Sequence, residues 1–294
     1  MIDRRGAMAL NKMRMIVWNV KRGNAISLHL PNGKTVMIDC GNSKECSPVK
    51  KLNSYLKIEK IDWLVITHPH TDHMADLEEI QKLGMNPTVL TRAIGISETA
   101  IKSGNTDQES VATYIGFNQK YNASLETYNN PYDRNNMGGV QFTSFAPTKC
   151  AESDLNNRSI VILSEYYGTK VLFMGDCTNA AQRELLERPE FVKAIKGVNI
   201  FVAPHHGHES CYCPELMELI NPCLCIVSDG KDTQEVSAVS KYGDRSSGIT
   251  FWNRYGQREN RVCLTTRKDG HIVIDVPCCG GLYISTMGSE LEQC

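Results

Sequence analysis

The chain has 294 residues, 41% of them apolar and 22% charged, with a formal net charge of -1 at pH 7. That length and apolar content suffice for a substantial core, which excludes a disordered chain, and a charge near zero gives no chain-wide reason to expect a polyanionic or membrane partner. The apolar runs at 61–67 and 199–203 fall far short of the roughly 20 residues of a membrane-spanning helix, and 1–12 lack the apolar stretch of a secretory signal, so a cytoplasmic chain without a membrane partner is expected. The cysteines are scattered and read as reduced thiols. The pairs Cys211/Cys213 and Cys223/Cys225 have a spacing that could serve a second zinc, but 223–228 reads as a buried strand, and core packing is the expected role.

In chain order, 14–20 reads as a strand, and 25–30 with 34–39 as a hairpin across Pro31-Asn32-Gly33. A helix is expected over 48–56, a continuous apolar strand over 61–67 and a helix over 74–83. The polar stretch 95–138 reads as an insertion near the site, with a helix over 107–120. Strands follow at 140–145, 159–166 and 170–174, then a helix at 179–187 and strands at 198–203 and 223–228. A last hairpin is expected from 261–266 and 271–276, turning at Lys268-Asp269-Gly270. Two strand-rich halves with helices imply an α/β domain over 14–276, two sheets face to face with helices outside, and tails at 1–13 and 277–294.

The segment His68-Pro69-His70-Thr71-Asp72-His73 places three imidazoles and a carboxylate within six residues, between a strand and a helix, where α/β folds gather their ligand-binding loops. His68 and His70 can face one metal, while Asp72 and His73, at the turn into the helix, can reach a second. Asp176, in Met174-Gly175-Asp176, and His205, in Pro204-His205-His206-Gly207, each follow an apolar strand and are expected to complete the ligand set, Asp176 as the bridge. His206 is read as a catalytic neighbour, and Asp39, which ends a third strand, as a hydrogen-bond partner of a ligand histidine. Two divalent ions, zinc or manganese, would lower the pKa of a bridging water toward roughly 7, and the resulting hydroxide would attack a phosphorus or carbonyl centre. Asp72 and His206 are the expected catalytic residues, with His206 giving a proton or hydrogen bond to the leaving group. Lys21, Arg22 and Arg158, together with Arg254, Arg258 and Arg261, are candidates for phosphate contacts.

These motifs resemble the metallo-β-lactamase superfamily, which implies a four-layer αββα sandwich and a metal-dependent hydrolase. Trp18-Asn19-Val20-Lys21-Arg22-Gly23-Asn24-Ala25, Leu30-Pro31-Asn32-Gly33-Lys34, Ile38-Asp39-Cys40-Gly41, Asn156-Asn157-Arg158-Ser159-Ile160-Val161 and Pro204-His205-His206-Gly207 are similar to the hydrolase domain of ComEC-type DNA-uptake proteins. The resemblance spans about residues 14–276. No histidine lies between His73 and His205, so the superfamily's middle histidine is missing, and Asn156 or Asn157 stands near its place as a weaker, harder ligand. The resemblance implies a phosphodiesterase or nuclease acting on DNA or a nucleotide. Hydrolysis of a small ester, thioester or lactam is a second reading, and a binding or regulatory protein with a weakened metal site a third.

Overall fold

A computed structural model describes residues 11–230, 237–253 and 255–287. The chain opens with β1 (Lys12–Val17), β2 (Ala25–His29) and β3 (Thr35–Cys40), an antiparallel meander whose second turn is the expected Pro31-Asn32-Gly33 corner. Helix α1 (Pro48–Ser54), started by Pro48 and capped by the Ser47 side chain, leads to β4 (Trp63–Ile66). After β4 come α2 (Thr71–Met74), α3 (Leu77–Lys82) and β5 (Val89–Arg92). The expected helix over 74–83 is thus two short helices, because Asp76 between them turns its carboxylate to Asn42, Ser47 and the Val49 N–H, and its own N–H to the Cys40 carbonyl. The insertion contributes α4 (Glu98–Ser103) and α5 (Gln108–Lys120), the latter capped by Asp107.

The second half runs β6 (Gln141–Phe145), β7 (Val161–Tyr166), β8 (Thr169–Phe173), α6 (Asn179–Leu186), α7 (Pro189–Ile195), β9 (Ile200–Val202), α8 (Pro214–Ile220), β10 (Leu224–Val227) and α9 (Val239–Asp244). It closes with β11 (Ile249–Trp252), β12 (Arg258–Arg261), β13 (Cys263–Thr265), α10 (Thr266–Asp269), β14 (His271–Pro277) and β15 (Tyr283–Met287). One sheet has the order β12-β11-β15-β14-β1-β2-β3-β4-β5 and the other β13-β10-β9-β8-β7-β6. The expected hairpin of 261–276 does not form: β13 pairs with β10 in one sheet and β14 with β1 in the other, joined by α10. The segment after 276, read as a tail, supplies β15, which lies antiparallel to β14.

Alternation along the strands sorts the apolar side chains into three layers. Met15, Val36 and Val65 of one sheet meet Ile162, Phe173 and Ile226 of the other in the central core. The opposite faces bury Met37, Leu64 and Ile66 against the first set of helices, and Leu172, Phe201 and Cys225 against the second. The result is the four-layer αββα sandwich expected from the sequence. Because β3, β4 and β5 are parallel to one another, as are β8, β9, β10 and β13, their carboxyl ends open on one rim of the sandwich. Among the described residues no helix is long and apolar enough to cross a membrane.

His29 gives this fold a pH-dependent element. It is buried beside Ser27, whose hydroxyl also accepts the Trp18 indole N–H, and its Nδ1 has no partner. Burial, reinforced by the Arg14 charge, pushes its pKa down from 6.5 to about 4. Between those values only the unfolded chain takes the proton, so this contribution to stability is lost as pH falls from 6.5 toward about 4. Relative to His29→Gln, the wild type should lose about 2 kcal/mol of denaturation free energy between about pH 7 and about pH 5. A gap that stays constant over that range would remove His29 as the cause.

Candidate metal centre

The strand β4 ends at Ile66, and after Thr67 the chain turns through His68, Pro69 and His70 into α2, which carries Asp72 and His73 in its single turn. His70 sits at the helix N-cap in extended conformation, and its carbonyl accepts the His73 N–H at 2.9 Å. This reversal aims all four side chains toward the same rim. Two glycines make room for it: a Cβ on Gly41 would lie 2.1 Å from the Asp72 carbonyl oxygen, and one on Gly23 would lie 2.5 Å from it. The Asn24 N–H donates to that same oxygen at 3.0 Å.

From the second sheet, the loop after β8 brings Asp176 and the loop after β9 brings His205 and His206. The two loops are joined by the His205 N–H to the Gly175 carbonyl, 3.1 Å, and the Asp176 N–H donates to Ser159 Oγ at 2.9 Å. His205, His206 and Gly207 are all left-handed, with φ of 48°, 55° and 72°. Gly207 is required there twice over, since a Cβ would also strike Val227 Cγ1 at 2.7 Å.

Two donor groups result: His68 with His70 and Asp176, and Asp72 with His73 and His206, the donor atoms of each lying within 4.8 Å of one another. Asp176 faces both. Its Oδ2 is 3.7 Å from His68 Nε2 and 3.9 Å from His206 Nε2, while its Oδ1 is 3.2 Å from His73 Nε2. His206 Nε2 is 3.2 Å from Asp72 Oδ2. The two histidines of the Pro-His-His-Gly turn therefore exchange the places expected from sequence: His206, buried, joins Asp72 and His73, whereas His205 stands at the rim with 29% of its side chain exposed and Nε2 3.9 Å from Asp176.

The surroundings orient these rings. Asp39 Oδ2 is 2.7 Å from His73 Nδ1, and the Ser228 carbonyl lies 3.0 Å from His206 Nδ1, so each ring donates outward and turns Nε2 inward. Both Nε2 atoms are buried with only carboxylate oxygens at 3.2 Å in front of them, and a cavity of about 10 Å³, lined in part by Asn24, Asp176, His206 and Ser228, lies beside His206. Charge balance points the same way. Burial pushes the Asp176 carboxyl up, but the His73, His68 and His206 charges hold it well below the usual range. Burial opposes a charge on His73 and on His206 as well, yet Asp176 and Asp39 raise His73 far above its ordinary value, and Asp176 and Asp72 raise His206. Nitrogen and carboxylate donors in this number suit divalent ions such as zinc or manganese.

Other sequence candidates fall elsewhere. Asn156 lies against His70, with its Oδ1 buried and unpartnered. Asn157 is taken up by Thr178 and Asp154, so it holds the start of α6 and not the centre. Arg22 Nε is 4.0 Å from Asp72 Oδ2, while Lys21 pairs with Glu45 and Arg261 with Asp269. Arg254 lies outside the described residues. The cysteines among the described residues are free; Cys211 Sγ is 3.5 Å from His205 Nδ1, and Cys225 faces Ser246, so the two pairs make no common site. Sequence reasoning missed Asn105, whose side chain accepts from the Thr71 N–H and donates to the Pro69 carbonyl, clasping the histidine loop from the insertion. It also missed the role of Ser159, whose hydroxyl lies 3.3 Å from His68 Nδ1.

The two facing sheets thus form an αββα domain whose rim assembles two His/Asp groups able to hold a metal ion. The family model of the metallo-beta-lactamase superfamily matches residues 19–134, the stretch that holds β2 to α5, and the two-sheet sandwich with outer helices is consistent with the metallo-β-lactamase fold. No curated protein matches the sequence. Among solved structures, a protein described as a metal-dependent hydrolase from Parabacteroides distasonis aligns at 16% identity and TM-score 0.45, over 80% of this chain and 88% of that one. A diphosphatase from the PhnP family aligns at 12% identity and TM-score 0.40, over 79% and 91%. CmlA, a diiron beta-hydroxylase from Streptomyces venezuelae, aligns at 16% identity and TM-score 0.41, over 74% of this chain and 44% of that one.

The Gly41 contact is directly testable. Gly41→Ala should force the Asp72 turn away from β3 and cost about 1–3 kcal/mol, seen as a lower unfolding midpoint. An unchanged midpoint would show that the close approach is not required.

Proposed function

We propose that this protein is a metal-dependent phosphodiesterase, in which His68, His70 and Asp176 hold one divalent ion and Asp72, His73, His206 and Asp176 hold another. The observation that carries this reading is the convergence of the buried Nε2 atoms of His68, His73 and His206 on the Asp176 carboxylate. Zinc or manganese bound there would supply Lewis acidity and an activated water. Asp176 would face both ions, a reading supported by its approach to His68 and His73, and Asp39 and the Ser228 carbonyl accept from Nδ1 of His73 and His206. His205, at the rim with its ring stacked on His208 and its Nδ1 beside Cys211, would give a hydrogen bond or proton from Nε2 to the leaving group. Arg22, beside Asp72 and largely exposed, would meet a phosphate oxygen. The phosphodiester assignment rests on the ComEC-type motifs and on Asn156 standing by His70 where the superfamily has a histidine. DNA or a nucleotide is the substrate that resemblance implies.

Purified protein supplied with Zn²⁺ or Mn²⁺ should cleave a chromogenic phosphodiester and leave a β-lactam and a lactone intact. Asp72→Ala and His206→Ala should lose metal and at least about 100-fold in activity, and Asp39→Asn about 10- to 100-fold in metal affinity. His205→Ala should keep its metal and lose about 100-fold or more in kcat. Cleavage of the lactam or lactone alone would refute the phosphodiester reading, and full activity in Asp72→Ala would refute the site.

A further inference from the structure

We infer that Arg158 is a specificity-determining residue that binds an anionic group of the substrate on the His70 side of the centre, an inference that rests on the hydrolase reading of this site. Arg158 ends the short 3-10 turn Asn156–Arg158, between Asn156, which lies against His70, and Ser159, which contacts His68 and the Asp176 N–H. The next residue, Ser159, and the one two before it, Asn156, thus both lie against the centre.

Among the described residues its guanidinium has no hydrogen-bond or ion-pair partner. Among the described residues Arg14, Arg183, Arg188, Arg261 and Arg267 pair with carboxylates, and Arg92 donates to two backbone carbonyls. Arg158 does neither, and its Nε is buried with no acceptor. The nearby Glu152 feels the Arg158 charge, but that carboxylate is engaged first by the Ser97 N–H. An arginine donor removed from water without an acceptor costs stability, so its retention calls for a partner that arrives from outside.

Its place in the fold suits such a partner. Gly95 stands in the loop after β5, on the rim that carries the centre, and a Cβ built on it would lie 3.7 Å from Arg158 Nη1, which places the guanidinium at that rim. The planar fork of an arginine matches the paired oxygens of a phosphate. With Arg22 beside Asp72, Arg158 would give the centre a cation on each flank, and the matching substrate is a phosphate-bearing molecule whose charge extends over the His70 side.

The test is calorimetric titration of inorganic phosphate into the Mn²⁺- or Zn²⁺-loaded protein, with metal content measured on every sample. Arg158→Gln should bind phosphate at least about tenfold more weakly with unchanged metal content, and Arg158→Lys, which keeps the charge, should lose less. Where turnover is measured, Arg158→Gln should raise KM for an anionic phosphodiester and leave a neutral ester unaffected. Phosphate binding in Arg158→Gln within twofold of the wild type, or no binding to the wild type, overturns the assignment without touching the hydrolase reading. Conversely, weakened phosphate binding in a protein that cleaves no phosphodiester upholds Arg158 and refutes the activity.

Discussion

The Asp39 carboxylate is the constraint on which the rim depends. It is fully buried, on a left-handed residue at φ 57°, and it accepts from the Asn24 side chain, the Thr67 N–H and hydroxyl, and His73 Nδ1. Those partners belong to the segment before β2, to the end of β4 and to α2, so one side chain ties three pieces of chain into a fixed relation. A buried carboxylate is tolerated only when its lone pairs are filled, and here that requirement also orients a ring of the metal centre. The cost of the left-handed backbone, on the order of 1–3 kcal/mol, is borne where it positions functional groups.

Around that anchor the centre is held mainly by backbone. The Asp72 carbonyl receives the Asn24 N–H and sits against two glycines, and the His205 N–H reaches across to the Gly175 carbonyl. Ser159 closes the gap between the sheets, its hydroxyl accepting the Asp176 N–H beside His68. Both sheets therefore feed the site through short, rigid contacts, which suits donors that must converge within bond length of one ion.

Much of this was legible locally. The Pro31-Asn32-Gly33 corner, the apolar strand before His68 and the Asp107-capped helix each carry their signal in adjacent residues. The failures are tertiary. Lys268-Asp269-Gly270 has the composition of a hairpin turn, yet Asp269 is engaged by Arg261 and the Thr265 N–H, and β13 finds its partner in β10. Asn105 and Ser159 matter only because the fold sets them against the histidine loop, and a lone Asn or Ser has no spacing that announces it.

The exchange of His205 and His206 follows from the same distinction. Adjacent residues in a turn point their side chains in different directions, and which one faces inward depends on backbone sign. With His205 and His206 both at positive φ, the second ring is directed into the sandwich, where the Ser228 carbonyl receives its Nδ1 proton. The first is left at the rim, close to Cys211 and His208. A run of two histidines and a glycine thus encodes one inward donor and one outward, solvent-reachable ring, and Gly207, left-handed and close under Val227, admits no side chain at the end of that turn.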